Sequence, residues 1–124
     1  MNAQKVYEDL KNNFKNVKLE GNTVLVTSLK GPPVIQYRLD FTPAHGYIMS
    51  AECRELKRPP MIITNVHSGL GFTTHCTDNS IKITDIYEDD SDLSLILRRM
   101  ERAYEFMKMS YEYGTKSNDF NVIF

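Results

Sequence analysis

All five prolines of this chain stand in three breaks, Pro32-Pro33, Pro43 and Pro59-Pro60. A proline has no N–H to give to a ladder or a helix interior. The stretches between these breaks therefore have to be self-contained elements, and their residues are those of strands. Residues 23–29 are β-branched and apolar. Residues 34–41 alternate, with Ile35, Tyr37, Leu39 and Phe41 on one face. Residues 47–56 alternate more weakly, with Tyr47, Met49, Ala51 and Cys53 together, and residues 61–66 form a fourth short apolar run. Short turns join them, which predicts an antiparallel meander of four strands.

Helical periodicity frames the meander. Ala3, Val6, Tyr7, Leu10, Phe14 and Val17 recur at three- and four-residue spacing and predict a helix over 2–15, with Asn2 as its cap and Glu20-Gly21-Asn22 as the turn that follows. A longer stripe of Leu93, Ile96, Leu97, Met100, Ala103, Tyr104, Met107 and Tyr111 predicts a helix over 92–113. Ser91 or Asp90 is the expected N-cap and Gly114 the expected stop. Between meander and helix, residues 67–80 read as an irregular segment, and Ile81, Ile83 and Asp85 as a short extended one. Strands flanked by helices in this order give an α+β domain. At 124 residues the chain has the length of one domain, 1–124.

Composition narrows function further. Lys plus Arg number 15 and Asp plus Glu 16, so the net charge is −1. That balance lacks the basic excess of a nucleic-acid binder. No apolar run approaches the ~20 residues of a membrane span. The first residues carry charge and no apolar stretch, so no secretory signal is expected and the expected compartment is the cytoplasm. Its reducing conditions leave Cys53 and Cys76 as free thiols.

The chemistry-bearing groups are few. Cys76 lies among polar residues beside His75, and a protonated histidine near a thiol favours the nucleophilic thiolate. Adjacent residues of an extended chain point to opposite faces, which would separate the two; a small filler residue is an equal reading of Cys76. Cys53 alternates with Ala51 and Met49 and reads as a buried strand residue. Cys53, His67, His75 and Cys76 lack zinc-ligand spacing, so no metal is expected. Arg98, Arg99 and Arg102 read as a solvated helix face, and the acids Asp85, Glu88, Asp89, Asp90 and Asp92 first as a solvated helix N-terminus and second as a carboxylate able to take the proton of an incoming amine.

Taken in order, the features resemble the ubiquitin-conjugating-enzyme family. The helix 2–15 precedes Gly31-Pro32-Pro33, then alternating strands, Pro59-Pro60, the run 61–66, His67 in the place of the family's motif histidine, and Cys76 nine positions later. The helix 92–113 matches the long helix behind that family's active site. His67 is followed by Ser68-Gly69 where the family has Pro-Asn, and His75-Cys76 resembles the divergent bacterial branch found in anti-phage operons. The resemblance implies a shortened form of that fold with an irregular active-site loop. It implies a cysteine-dependent acyl transferase in which Cys76 carries a ubiquitin-like modifier as a thioester and passes it to a target amine. His67 would brace the loop, and His75 would tune the thiol or hold the loop. No cofactor is implied. The implied partners are an activating enzyme and a ubiquitin-like modifier or target protein, a nucleotidyltransferase among the candidates. The lost Pro-Asn admits an alternative, a non-catalytic binding or adaptor module of the same fold that holds a partner protein.

Overall fold

A computed structural model describes residues 2–28, 34–42, 46–54, 73–76, 80–88 and 92–115. The first helix, α1, is Ala3–Leu10, capped by Asn2, whose side chain accepts from the Lys5 N–H at 2.9 Å. It buries Ala3, Val6 and Leu10. It stops short of the expected residue 15. Asn12 and Asn13 are poor helix formers, and the Asn13 side-chain amide turns back to the Asp9 carbonyl at 3.2 Å. The Asn13 and Phe14 N–H groups both donate to the Leu10 carbonyl at 2.9 Å, closing the last turn.

The chain then enters a strand that helical spacing had hidden. This β1 is Asn16–Glu20, and it pairs with β2, Thr23–Ser28, in the register Val17 opposite Val26 and Leu19 opposite Val24. Two residues, Gly21 and Asn22, make the turn. Gly21 has φ 61°, at the first central position, where a type II′ hairpin takes glycine. Strands β3, Ile35–Phe41, and β4, Tyr47–Cys53, continue the meander as the alternation predicts.

The fourth strand of the meander is thus β4, because Asn16–Glu20 supplies the first. The run 61–66 lies outside the described residues. The edge of β4 it was expected to line is filled along its whole length by β6, Ile81–Tyr87, from Tyr47 opposite Tyr87 to Cys53 opposite Ile81. The segment expected to be irregular contains a short strand, β5, Thr73–Cys76, on the far side of β6. The result is one six-stranded antiparallel sheet in the order β1-β2-β3-β4-β6-β5.

The second described helix, α2, is Leu93–Thr115. Its N-terminus is capped by Asp92, whose side chain accepts from the Leu95 N–H at 2.9 Å, rather than by Ser91 or Asp90. Gly114 lies within its last turn rather than ending it. Ile96, Met100, Ala103 and Met107 are buried along one stripe, as their spacing predicts. Helix α1 packs on β1 and β2, α2 on β3, β4 and β6, and the helices touch each other. Val24, Val26, Ile35, Leu39, Met49, Ala51, Cys53, Ile81 and Ile83 meet them in one continuous core.

Candidate functional site

The sequence pointed to His67, His75 and Cys76. His67 lies outside the described residues. His75 is exposed on β5 and stands opposite Lys82. Cys76 stands opposite Ile81, and Ile81 opposite Cys53. Successive residues of a strand belong to opposite faces of its sheet. His75 therefore falls in the row of Lys82 and Glu52, and Cys76 in the row of the fully buried Ile81 and Cys53. Two inter-strand steps of ~4.8 Å separate Cys76 from Cys53. That exceeds the ~7 Å Cα separation a disulfide spans. Cys53 is buried and in no disulfide, as its alternation predicts.

Of the acids after the cysteine, Asp85 accepts from the Ile86 N–H at 2.9 Å and Asp92 caps α2. Both are used by their own backbone. Asp89 and Asp90 lie outside the described residues.

The arginines divide. Arg98 and Arg102 are exposed, but Arg99 turns onto the end of the sheet. Its guanidinium lies 3.7 Å from the centroid of the Tyr87 ring and donates to the Tyr47 hydroxyl at 2.8 Å. Tyr47 in turn packs between Phe41 and Tyr87 at ring separations of 5.4 and 5.3 Å. Planar guanidinium on an aromatic face is favourable, so Arg99 is a fastening between helix and sheet rather than part of a solvated face. The Tyr87 hydroxyl is buried with no hydrogen-bond partner among the described residues. Burial first, and then the Asp85 carboxylate, push its pKa up to about 12.

A concavity lies beside α2, lined by residues other than Arg99. Because α1 ends at Leu10, residues 13–16 make a corner beneath the helix. A cleft of about 510 Å³ opens between that corner, the end of β2, Tyr37 of β3 and residues 97–104 of α2. Phe14, Leu97 and Met100 give it apolar lining. Two polar side chains reach it from the core. Ser28 is only 5% exposed, and its hydroxyl has no hydrogen-bond partner among the described residues. Tyr37 is 3% exposed, and its hydroxyl donates to the Met100 carbonyl at 3.3 Å. Burial, the Glu101 carboxylate and Tyr104 together hold the Tyr37 phenol protonated well above its ordinary pKa of 10. Lys15 and Glu101 also line the cleft, and neither is in an ion pair with a described residue. A volume of this size is in the ~300–1,000 Å³ range of ligand sites.

Sequence reasoning placed Tyr37 on the core face but did not single out the cleft. The available signal was a phenol at a core-facing strand position, since such a hydroxyl must find a partner. Among the described residues no group of three or more His, Cys, Asp or Glu side chains could hold a metal, and no helix is long and apolar enough to cross a membrane. No family model, no curated sequence and no solved structure matches the chain.

Proposed function

We propose that this chain is a non-catalytic binding module that holds a partner protein through the cleft beneath α2. One observation carries the reading: the cleft brings the hydroxyl of the buried Ser28 and two exposed charges of opposite sign, none of them partnered by a described residue, to one apolar-lined hollow. A few polar groups converging on an apolar-lined hollow are what a ligand site offers. In the acyl-carrier reading His75 would tune the Cys76 thiol or hold its loop, and a strand neighbour is poorly placed for the first of these roles.

Alkylation decides between the two. With iodoacetamide at neutral pH, the binding module's Cys76 is modified no faster than a cysteine in an unstructured peptide. Faster modification of Cys76 would overturn the proposal. So would a thiol-sensitive adduct, formed with an activating enzyme, ATP and a ubiquitin-like modifier and lost in Cys76→Ala. Either result would restore the thioester carrier, with its role in transfer to a target amine.

A further inference from the structure

We infer that the cleft recognises a partner segment in which apolar residues stand between an acidic and a basic side chain. The inference rests on the binding-module reading and specifies what enters the site. Lys15 comes from the α1–β1 corner and Glu101 from α2, so the two charges belong to separate walls of the same hollow. They do not neutralise each other. A bound segment carrying one charge of each sign can pair with both at once, and unlike charges across an interface fix the register of what docks. Phe14, Leu97 and Met100 line the same cleft and suit aliphatic side chains.

The polar groups of the floor suit a peptide as well. The Ser28 hydroxyl can donate to a backbone carbonyl, since no described residue accepts from it. The Tyr37 hydroxyl spends its proton on the Met100 carbonyl, so what it offers to the cleft is an acceptor for a backbone N–H. Burial keeps that hydroxyl neutral, and the floor adds no charge of its own. Net charge on the ligand is therefore not what the site selects. It selects one charge of each sign beside apolar side chains. A purely acidic or purely basic segment would meet one like charge, from Glu101 or Lys15 respectively.

The test is a titration of the full chain, followed by the backbone amide resonances of Ser28, Tyr37 and Glu101. Four capped tetrapeptides serve as probes: Glu-Leu-Leu-Lys, its reverse Lys-Leu-Leu-Glu, the uncharged Gln-Leu-Leu-Gln, and Lys-Leu-Leu-Lys. One of the two mixed-charge peptides is expected to bind at least fivefold more tightly than the uncharged one and to shift the cleft resonances. Glu101→Gln and Lys15→Met should each reduce that advantage to below twofold, with an unchanged urea midpoint. The combined exchange Lys15→Glu with Glu101→Lys should transfer the preference to the reversed peptide. If the uncharged or the all-basic peptide binds as tightly as the mixed ones, the charge inference is wrong while the cleft remains a peptide site. If no peptide moves these resonances, the inference is wrong as well. The binding-module reading is judged separately, by Cys76 alkylation.

Discussion

Arg99 is the place where helix α2 is fastened to the end of the sheet, and Arg99→Met measures how firmly. The substitution keeps much of the aliphatic stem and removes the guanidinium. At least two interactions go with it. The bond to the Tyr47 hydroxyl, at 2.8 Å, has a charged donor, and such bonds contribute about 1.5–3 kcal/mol. The stack on Tyr87, at 3.7 Å, contributes about 0.5–2 kcal/mol depending on exposure. Both belong to one half-buried group, so they do not simply add. A loss of about 2–3 kcal/mol is expected, a large share of the ~5–15 kcal/mol that holds a domain together. Urea unfolding followed by far-ultraviolet circular dichroism should show a lower midpoint with an unchanged slope. Arg99→Lys keeps the charge but not the plane, and should recover less than half of the loss. Pairing Arg99→Met with Tyr47→Phe should give a coupling energy of about 1 kcal/mol or more. If Arg99→Met costs less than about 0.5 kcal/mol, or the pair is additive within the usual ~0.3–0.5 kcal/mol, the fastening has been misread.

Gly46 has φ 88°, and a Cβ there would overlap the Tyr87 carbonyl oxygen; Gly46→Ala should cost more than the ~1–2 kcal/mol of a left-handed residue alone, read as a lowered urea midpoint. Asp92→Ala should cost about 1 kcal/mol by removing the cap on Leu95, whereas Asp92→Asn, which keeps the acceptor, should lose only a few tenths. Cys53 is fully buried, so Cys53→Ser should cost about 1–3 kcal/mol for a hydroxyl placed in the core, and the native Cys53 should resist iodoacetamide until the protein unfolds. Tyr37 and Tyr87 hold their protons above the ordinary 10 in the folded chain, so folding favours their neutral form. Their contribution is complete below pH 10 and is lost as pH rises through each folded value, about 12 for Tyr87. Tyr37→Phe should therefore flatten the fall of the urea midpoint between pH 9 and 11, and a variant that falls as steeply as the parent would refute the assignment.

The parts of the fold that sequence made legible are those with enough residues to show a period. Helix α2 carries its stripe through five turns, and its buried residues are those the spacing names. Strands β2 to β4 alternate over six or seven residues and were placed to within three residues at each end. Strand β1 was not, because Val17 stands three residues after Phe14 and fits a helical stripe as well as a strand. What decides it is its register against Val26, a contact that local sequence does not contain. Arg99 was misread for a related reason. It sits at the border of the stripe, one residue before Met100, and only the approach of Tyr47 and Tyr87 draws it inward. The cleft followed from neither pattern: it exists because α1 stops early and leaves the corner 13–16 beneath Leu97 and Glu101.

The same reasoning bears on the cysteine. Thr73-Thr74-His75-Cys76 has no apolar alternation of its own, so nothing within it fixes which residues share a face. Its partner fixes that. Ile81 and Ile83 are fully buried, Lys82 between them is not, and pairing against β6 assigns each residue of β5 to a row. Two groups that act together from a single strand must stand two residues apart, not one. A histidine next to a cysteine in sequence is an attractive pair on a loop or a turn, where the backbone can bring both side chains to one side. On a paired strand the same dipeptide is a divider, with one residue in the row of Glu52 and Lys82 and the other in the row of Cys53 and Ile81. Any acyl chemistry at Cys76 would therefore have to draw its base from another element. That requirement makes the rate of Cys76 alkylation, unaltered or altered by His75→Ala, a direct reading of whether this strand has a catalytic face.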